Sequence, residues 1–338
     1  MISTEKTIRA YASGAILAIT DWLTVVPGIR ILGLFTTKGY KLDYTDRKKV
    51  EEDIRHGAMF ITNHRDIVMD AAFLSMLLRE RYCIRPFIGI GNNLFGKWWI
   101  EPFVRFNRCF VVLRGGSPRE LLQHSQVLST YIQKLRNRRK SIWLAQREGR
   151  AKDSNDLTQP AILKMLTMGQ SDFLTAVRKL NICPVCLNYE YDPCDYLKAR
   201  EMQLKRDNPD WHKTPADDIL SMRTGIEGKK GRVICRMTPS INRWLDTVDL
   251  SQMSRNEQIE AVAKQIDKQI HGAYEIYERG TDFEDYLQQQ LAKVDLPNKD
   301  LTFLNEKIHE MYTNPIKNHQ LAIFIFSLSK TNIVRIPF

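Results

Sequence analysis

The chain has 338 residues, of which 43% are hydrophobic and 26% charged. That ordinary globular composition excludes fibrous and disordered classes and suffices for one large domain, or one plus an appendage. Fifty Lys and Arg against 39 Asp and Glu give a formal charge of +11, an excess that suits an anionic membrane surface, a phosphate-bearing substrate or nucleic acid.

Residues 9–36, "RAYASGAILAITDWLTVVPGIRILGLFT", are the most apolar long stretch. Asp21, Pro27 and Arg30 interrupt it, so no run reaches the ~20 apolar residues of a spanning helix. Trp22 and the Pro27-Gly28 break predict a hairpin of two short helices with apolar faces. These either lie in a membrane interface or pack on the protein's own core. "KGYKLDYTDRKKVEED" reads as a surface ribbon or loop. A strand ends near Thr62, and a helix runs from about Ile67 to Arg79, carried by Ala71, Phe73, Leu74, Met76, Leu77 and Leu78. "RPFIGI" (85–90) is a strand, and 91–108 is a loop with a helical turn. Trp98, Trp99, Phe103 and Phe106 in that loop would line an apolar channel, dip into lipid or belong to the core.

"CFVVLR" (109–114) reads as a buried strand. Ser117 as N-cap and Pro118 at the first helical position open a helix whose stripe includes Leu121, Leu128, Ile132 and Leu135. It ends in "KLRNRRK" (134–140), a basic helix end that would also suit lipid headgroups or an acidic carrier protein. "SIWLA" (141–145) is the next strand. A polar loop (146–160), helices around 161–168 and 172–180, and strands at 182–191 and 231–237 follow. From Ser251 onward the pattern is helical, with Ile259, Val262, Ile266, Ile270 and Tyr274 at helix spacing. The tail "HQLAIFIFSLSKTNIVRIPF" holds an apolar run too short to span a bilayer. Strand–helix alternation through residue 240 argues an α/β fold with a helical appendage.

Six cysteines, at 83, 109, 183, 186, 194 and 235, form no regular framework, and no signal-peptide pattern precedes them. A reducing cytosol is the expectation. Cys183-Pro-Val-Cys186 has the spacing of a metal or redox motif but sits inside a strand, so both are read as buried strand cysteines, and no metal is expected.

Three polar islands each follow a short apolar strand: "NHRDIVMD", "LRGGSPRE" and "QREGRAKD". A sheet would bring them to one edge, where open α/β sheets place their chemistry. They contribute a histidine with carboxylates, an arginine with two glycines, and a glutamate flanked by Arg147, Arg150 and Lys152. That mixture suits proton abstraction beside an anion pocket.

In order and spacing these islands resemble the glycerolipid acyltransferases, the glycerol-3-phosphate and lysophosphatidic acid acyltransferases. "TNHRDIVMD" resembles the family's Asn-His-x4-Asp motif, "NRCFVVLRGG" its second, with Arg114 at the arginine position, "WLAQREGRAKD" its third, through Glu148-Gly149, and "CPVCLNYEY" its Pro-Val strand. The resemblance covers roughly residues 58–190. Two departures stand out: five residues, not four, separate His64 from Asp70, and Ala151 takes the place of the third motif's arginine.

The resemblance implies a mixed central sheet flanked by helices (46–240), preceded by membrane-associating helices (1–45) and followed by a helical extension (241–338). It implies His64 as general base oriented by Asp70, with Asp66 the rival carboxylate. Substrate contacts would come from Asn63, Arg65, Arg114, Gly115, Arg147, Glu148, Gly149 and Arg150. No cofactor is implied beyond the acyl-CoA or acyl carrier protein that brings the acyl group. The partners would be that donor, a lysophospholipid or glycerol 3-phosphate acceptor, and an anionic membrane surface, with the protein peripheral or monotopic on the cytoplasmic face. Two alternatives stay open: O-acylation of another lipid, such as an acylated amino acid, and a catalytically silent membrane-binding module. Nucleic acid is not an expected partner, because the basic residues are dispersed and no recognition motif occurs.

Overall fold

The computed structural model describes residues 26–92, 108–280 and 282–330. Seven strands among them form one sheet: β1 (Thr37–Tyr44), β2 (Met59–Thr62), β3 (Phe87–Gly91), β4 (Cys109–Val112), β5 (Ile142–Ala145), β6 (Ile182–Tyr189) and β7 (Gly231–Met237). Their order is β1-β7-β6-β2-β5-β3-β4. All neighbours are parallel except β6 and β7, so the sheet is mixed, as expected.

The central strands are short apolar runs because both their faces are covered. Successive residues part to opposite sides. Met59, Ile61, Ile142 and Leu144 enter one core layer, whereas Phe60, Trp143, Cys183 and Val185 enter the other. The first layer is closed by α4 (Pro118–Asn137), α5 (Pro160–Leu166), α6 (Phe173–Leu180) and α10 (Arg255–Gly272). The second is closed by α1 (Val26–Thr36), α2 (Arg47–Ile54) and α3 (Met69–Tyr82). α7 (Asp195–Asp207) and α8 (Pro215–Glu227) lie between β6 and β7 in sequence. α9 (Asn242–Leu245) leads to α10, and α11 (Asp282–Lys293) and α12 (Leu301–Lys330) pack on α7 around Phe283, Leu287, Leu304 and Ile308. The cap expected at Ser117 is present as a reciprocal capping box with Glu120.

Several expectations need correction. The stretch read as a surface ribbon or loop holds most of α2 and, before it, most of β1, which pairs with β7. β1 is an edge strand, so its lysines face water while Tyr40, Leu42 and Tyr44 pack inward. The expected boundary at 45/46 therefore falls after a strand of the same sheet. α10 falls in the expected helical extension, yet Ile259, Val262, Ile266 and Ile270 are buried in the main core. The helices α7 and α8 were not anticipated. Cys183 and Cys186, by contrast, are the buried strand cysteines expected, three residues apart on β6 and so on opposite faces of the sheet.

Residues 1–25, with the first helix of the expected hairpin and Trp22, lie outside the described residues. So do Trp98, Trp99, Phe103 and Phe106 and the last eight residues of the tail. α1 packs through Ile29 but leaves Ile31, Leu34 and Phe35 more than half exposed. No helix among the described residues is long and apolar enough to cross a membrane.

Candidate active site

The chain leaves β2 at Thr62 and turns through Asn63–Val68 into α3. One carboxylate organises that turn. Asp70, fully buried in the first turn of α3, accepts N–H bonds from Arg65 (2.7 Å) and Asp66 (3.0 Å) on Oδ2. The same oxygen faces His64 Nδ1 at 2.9 Å, and Oδ1 accepts from the Tyr189 hydroxyl at 2.9 Å. Burial, reinforced by the charge on Asp70, pushes the Tyr189 phenol well up, so it stays a donor. A carboxylate on Nδ1 holds the hydrogen there and leaves Nε2 with a free lone pair. The ring meets Trp143 edge-on with centroids 6.5 Å apart, and His64 borders a cleft.

Asp66 has a different job. Its Oδ1 accepts from the N–H groups of Val68 and Met69, both at 2.8 Å, and so caps the start of α3. Its other oxygen lies where a side chain at position 225 of α8 would sit, so Gly225 admits it. Burial, then the neighbouring charge of Asp70, raises its carboxyl pKa.

Asn63 and Arg65 were expected at the substrate, but the structure gives both interior partners. Asn63 clamps β6, accepting from Leu187 N–H (2.7 Å) and donating to Leu187 C=O (3.1 Å) and Asp156 (3.2 Å). Arg65 Nη2 bonds Asp156 Oδ2 at 2.7 Å. Burial opposes its charge, yet the Asp156 carboxylate outweighs that and holds the guanidinium pKa up. Side chains alternate along an extended chain. With His64 on the cleft, its two neighbours point away from it.

Asp156 itself escaped the sequence reading. The same Oδ2 also accepts from Tyr274 (2.6 Å), and the Asp156 carbonyl faces His271 Nε2 (2.7 Å), both from the region of α10. The loop under His64 is thereby tied to a helix more than a hundred residues away. Asp156→Ala leaves the Arg65 charge buried and unpaired. We expect a loss of about 3–5 kcal/mol, read as a fall in the urea midpoint at unchanged m-value.

The cleft measures about 570 Å³. It gathers residues from all three polar islands: His64, Arg114 and the Arg147–Arg150 segment. Arg114 Nε stands 3.8 Å from Glu148 Oε1, and its backbone N–H is held by Asn92 at 2.7 Å. The segment turns at Gly149, whose φ of +72° favours glycine, and is tied back by Glu148 N–H to Gln159 (2.7 Å). Arg147 Nε and Arg150 Nη1 are buried at the cleft without a hydrogen-bond partner. Gly115 lies on the exposed turn after β4 rather than in the lining.

One end of the cleft is apolar, formed by Ile90, Val112, Leu121, Leu144, Ile162 and Met165. The other carries Lys152 of the third polar island, paired with Glu201, and charges that the sequence reading missed: Lys213 with Asp218 at 2.6 Å, and Lys198 bonded to Asp192 and to Arg65 C=O (3.1 Å). Lys198 and Glu201 come from α7, and Lys213 and Asp218 from the entrance to α8, where no motif marks them.

The family model described as Acyltransferase matches residues 41–187, a stretch that runs from β1 into β6 and includes His64, Asp70, Arg114 and Glu148. That match supports acyl transfer as the class of chemistry. No curated protein matches the chain.

Proposed function

We propose that the protein moves an acyl group from a thioester, carried by CoA or by a carrier protein, to a hydroxyl of lysophosphatidic acid or glycerol 3-phosphate. One observation carries this reading. His64 has Nδ1 on a buried carboxylate and borders a cleft with partnerless guanidinium nitrogens and an apolar end.

In the proposed reaction, Nε2 of His64 takes the acceptor's hydroxyl proton as the oxygen attacks the thioester carbonyl carbon. Asp70 stabilises the imidazolium that forms. The tetrahedral intermediate then expels the thiolate, which takes the proton back from His64 and leaves as free thiol while the ester remains. The acceptor is itself the nucleophile, so no protein nucleophile is required. Arg147 and Arg150 supply N–H donors to a phosphate, for which a guanidinium fork is well shaped. The apolar end accommodates the acyl chain. The exposed Ile31, Leu34 and Phe35 of α1 support docking at the cytoplasmic membrane face.

The test is thiol release from one acyl thioester with a panel of acceptors. Lysophosphatidic acid or glycerol 3-phosphate should outperform a phosphate-free monoacylglycerol. Arg147→Ala and Arg150→Ala should each raise the acceptor KM by roughly 10–100-fold, the worth of a hydrogen bond to a charged group, and leave the thioester KM in place. With acceptor embedded in vesicles, Leu34→Ser/Phe35→Ser should slow the reaction. Equal use of the phosphate-free acceptor would overturn the phosphate assignment. The mixed-sign pairs Lys152–Glu201 and Lys213–Asp218 favour one second reading, an amino-acid lipid acceptor that carries both charges. The same panel, with an acylated amino acid included, decides between them.

A further inference from the structure

The parallel strands begin at the edge of the sheet opposite His64. A groove of about 760 Å³ opens there, walled by α2 and by the ends of α3 and α4. Its charges are almost all of one sign: Arg47, Arg55, Arg81, Arg139 and Lys140, with Arg85 and Arg108 at the strand starts, against a single carboxylate, Glu51. That carboxylate is engaged by Arg47 (2.8 Å) and by the Tyr82 hydroxyl (3.1 Å). Neighbouring acids turn elsewhere: Glu52 and Asp53 to Arg243, and Glu80 to Arg30.

Basic residues at helix ends ordinarily offset the helix dipole. Three helices end at this groove, and each end carries about half a negative charge. Together with Glu51 they balance about 2.5 positive charges. Five cations, leaving Arg85 and Arg108 aside because both have other contacts, exceed that by about 2.5. Arg55, Arg81, Arg139 and Lys140 are exposed and make no ion pair among the described residues.

We infer that this groove is a second anion site, built for a soluble small molecule carrying two or more phosphate groups. Its size lies in the range of roughly 300–1,000 Å³ typical of small-molecule sites, and clustered arginines match phosphate oxygens in pairs. It does not serve the reacting atoms: β2 and β5 are four residues long and hold groove and cleft about 13 Å apart or more, at 3.3 Å per residue. Nor is it the membrane-facing side suggested by α1. The Lys230 N–H donates to Thr36 C=O at 2.7 Å, which places Leu34 and Phe35 by the start of β7, at the His64 edge.

Calorimetric titration of the full chain with sodium triphosphate, at fixed ionic strength, tests the site. The Arg147→Ala/Arg150→Ala protein serves as the background, so that the cleft does not contribute. One saturable site is expected there. Adding Arg81→Ala/Arg139→Ala, or separately Lys140→Glu, should weaken it at least 10-fold with the thermal unfolding midpoint maintained. The same groove substitutions in the otherwise unaltered protein should leave acyl transfer unchanged, so failure of this site and failure of the acyl-transfer reading are distinguishable. Four results would overturn the inference: no saturation in that background, affinity indifferent to the groove substitutions, equal response to orthophosphate, or groove-dependent binding of phosphatidylglycerol vesicles without triphosphate binding.

Discussion

His64→Ala is expected to cut thiol release by about 10²–10⁴-fold, the usual worth of a positioned general base, while the protein stays folded. The second half of that expectation comes from the surroundings of Asp70. Without the imidazole its carboxylate still accepts from two backbone N–H groups and from Tyr189, so no buried charge is orphaned. His64 fills a site on the cleft rather than a place in the core, and its loss opens no sealed cavity. Activity should collapse at both saturating and limiting acceptor, with circular dichroism and the thermal midpoint nearly unchanged. A variant that kept most of its turnover would refute the assignment of the base.

The second large effect separates the two acidic neighbours. Asp70→Asn can keep the turn, with its amide oxygen toward the Arg65 and Asp66 N–H groups and its NH2 toward the Tyr189 oxygen. It loses the negative charge that stabilises the imidazolium. A fall in kcat of roughly 10²–10⁴-fold is expected, with little change in acceptor KM. Asp66→Asn retains an oxygen for Val68 and Met69 N–H and never reaches the imidazole. It also removes a buried charge next to Asp70, so its kcat should stay within about threefold of the parent, in line with the small cost of swapping one good cap for another. An inactive Asp66→Asn beside an active Asp70→Asn would reverse the two roles.

What the sequence discloses is what depends on near neighbours. Buried strands such as "MFIT" and "IWLA" are apolar throughout, and Ser117 with Glu120 spells out a helix start. The polar islands stand out because each interrupts a strand–helix pair. Other features depend on distance in the chain. In β1 the alternation Tyr40, Leu42, Tyr44 is present, but Lys41 and Asp43 between them, with Lys38 ahead, mask a half-buried edge strand. Asp156 resembles any loop aspartate until Tyr274 and Arg65 are placed against it. Lys198 is written like a solvated helix lysine and is nonetheless buried. Asn63 and Arg65 mislead for the opposite reason, since adjacency to His64 is not co-orientation.

The junction between β6 and β7 carries a practical consequence. The family-matched stretch begins within β1 and stops before β7, yet β7 is the strand on which β1 forms its ladder. A fragment ending at Leu187 would keep His64 and Asp70 but strand β1 with nothing to zip against. It would also bare one side of β6 and remove Tyr189, Tyr274 and α10 from beneath the reactive loop. Such a fragment should clump through its open edges, so trimming the protein back to its recognisable motifs would discard the scaffold that makes those motifs stand still.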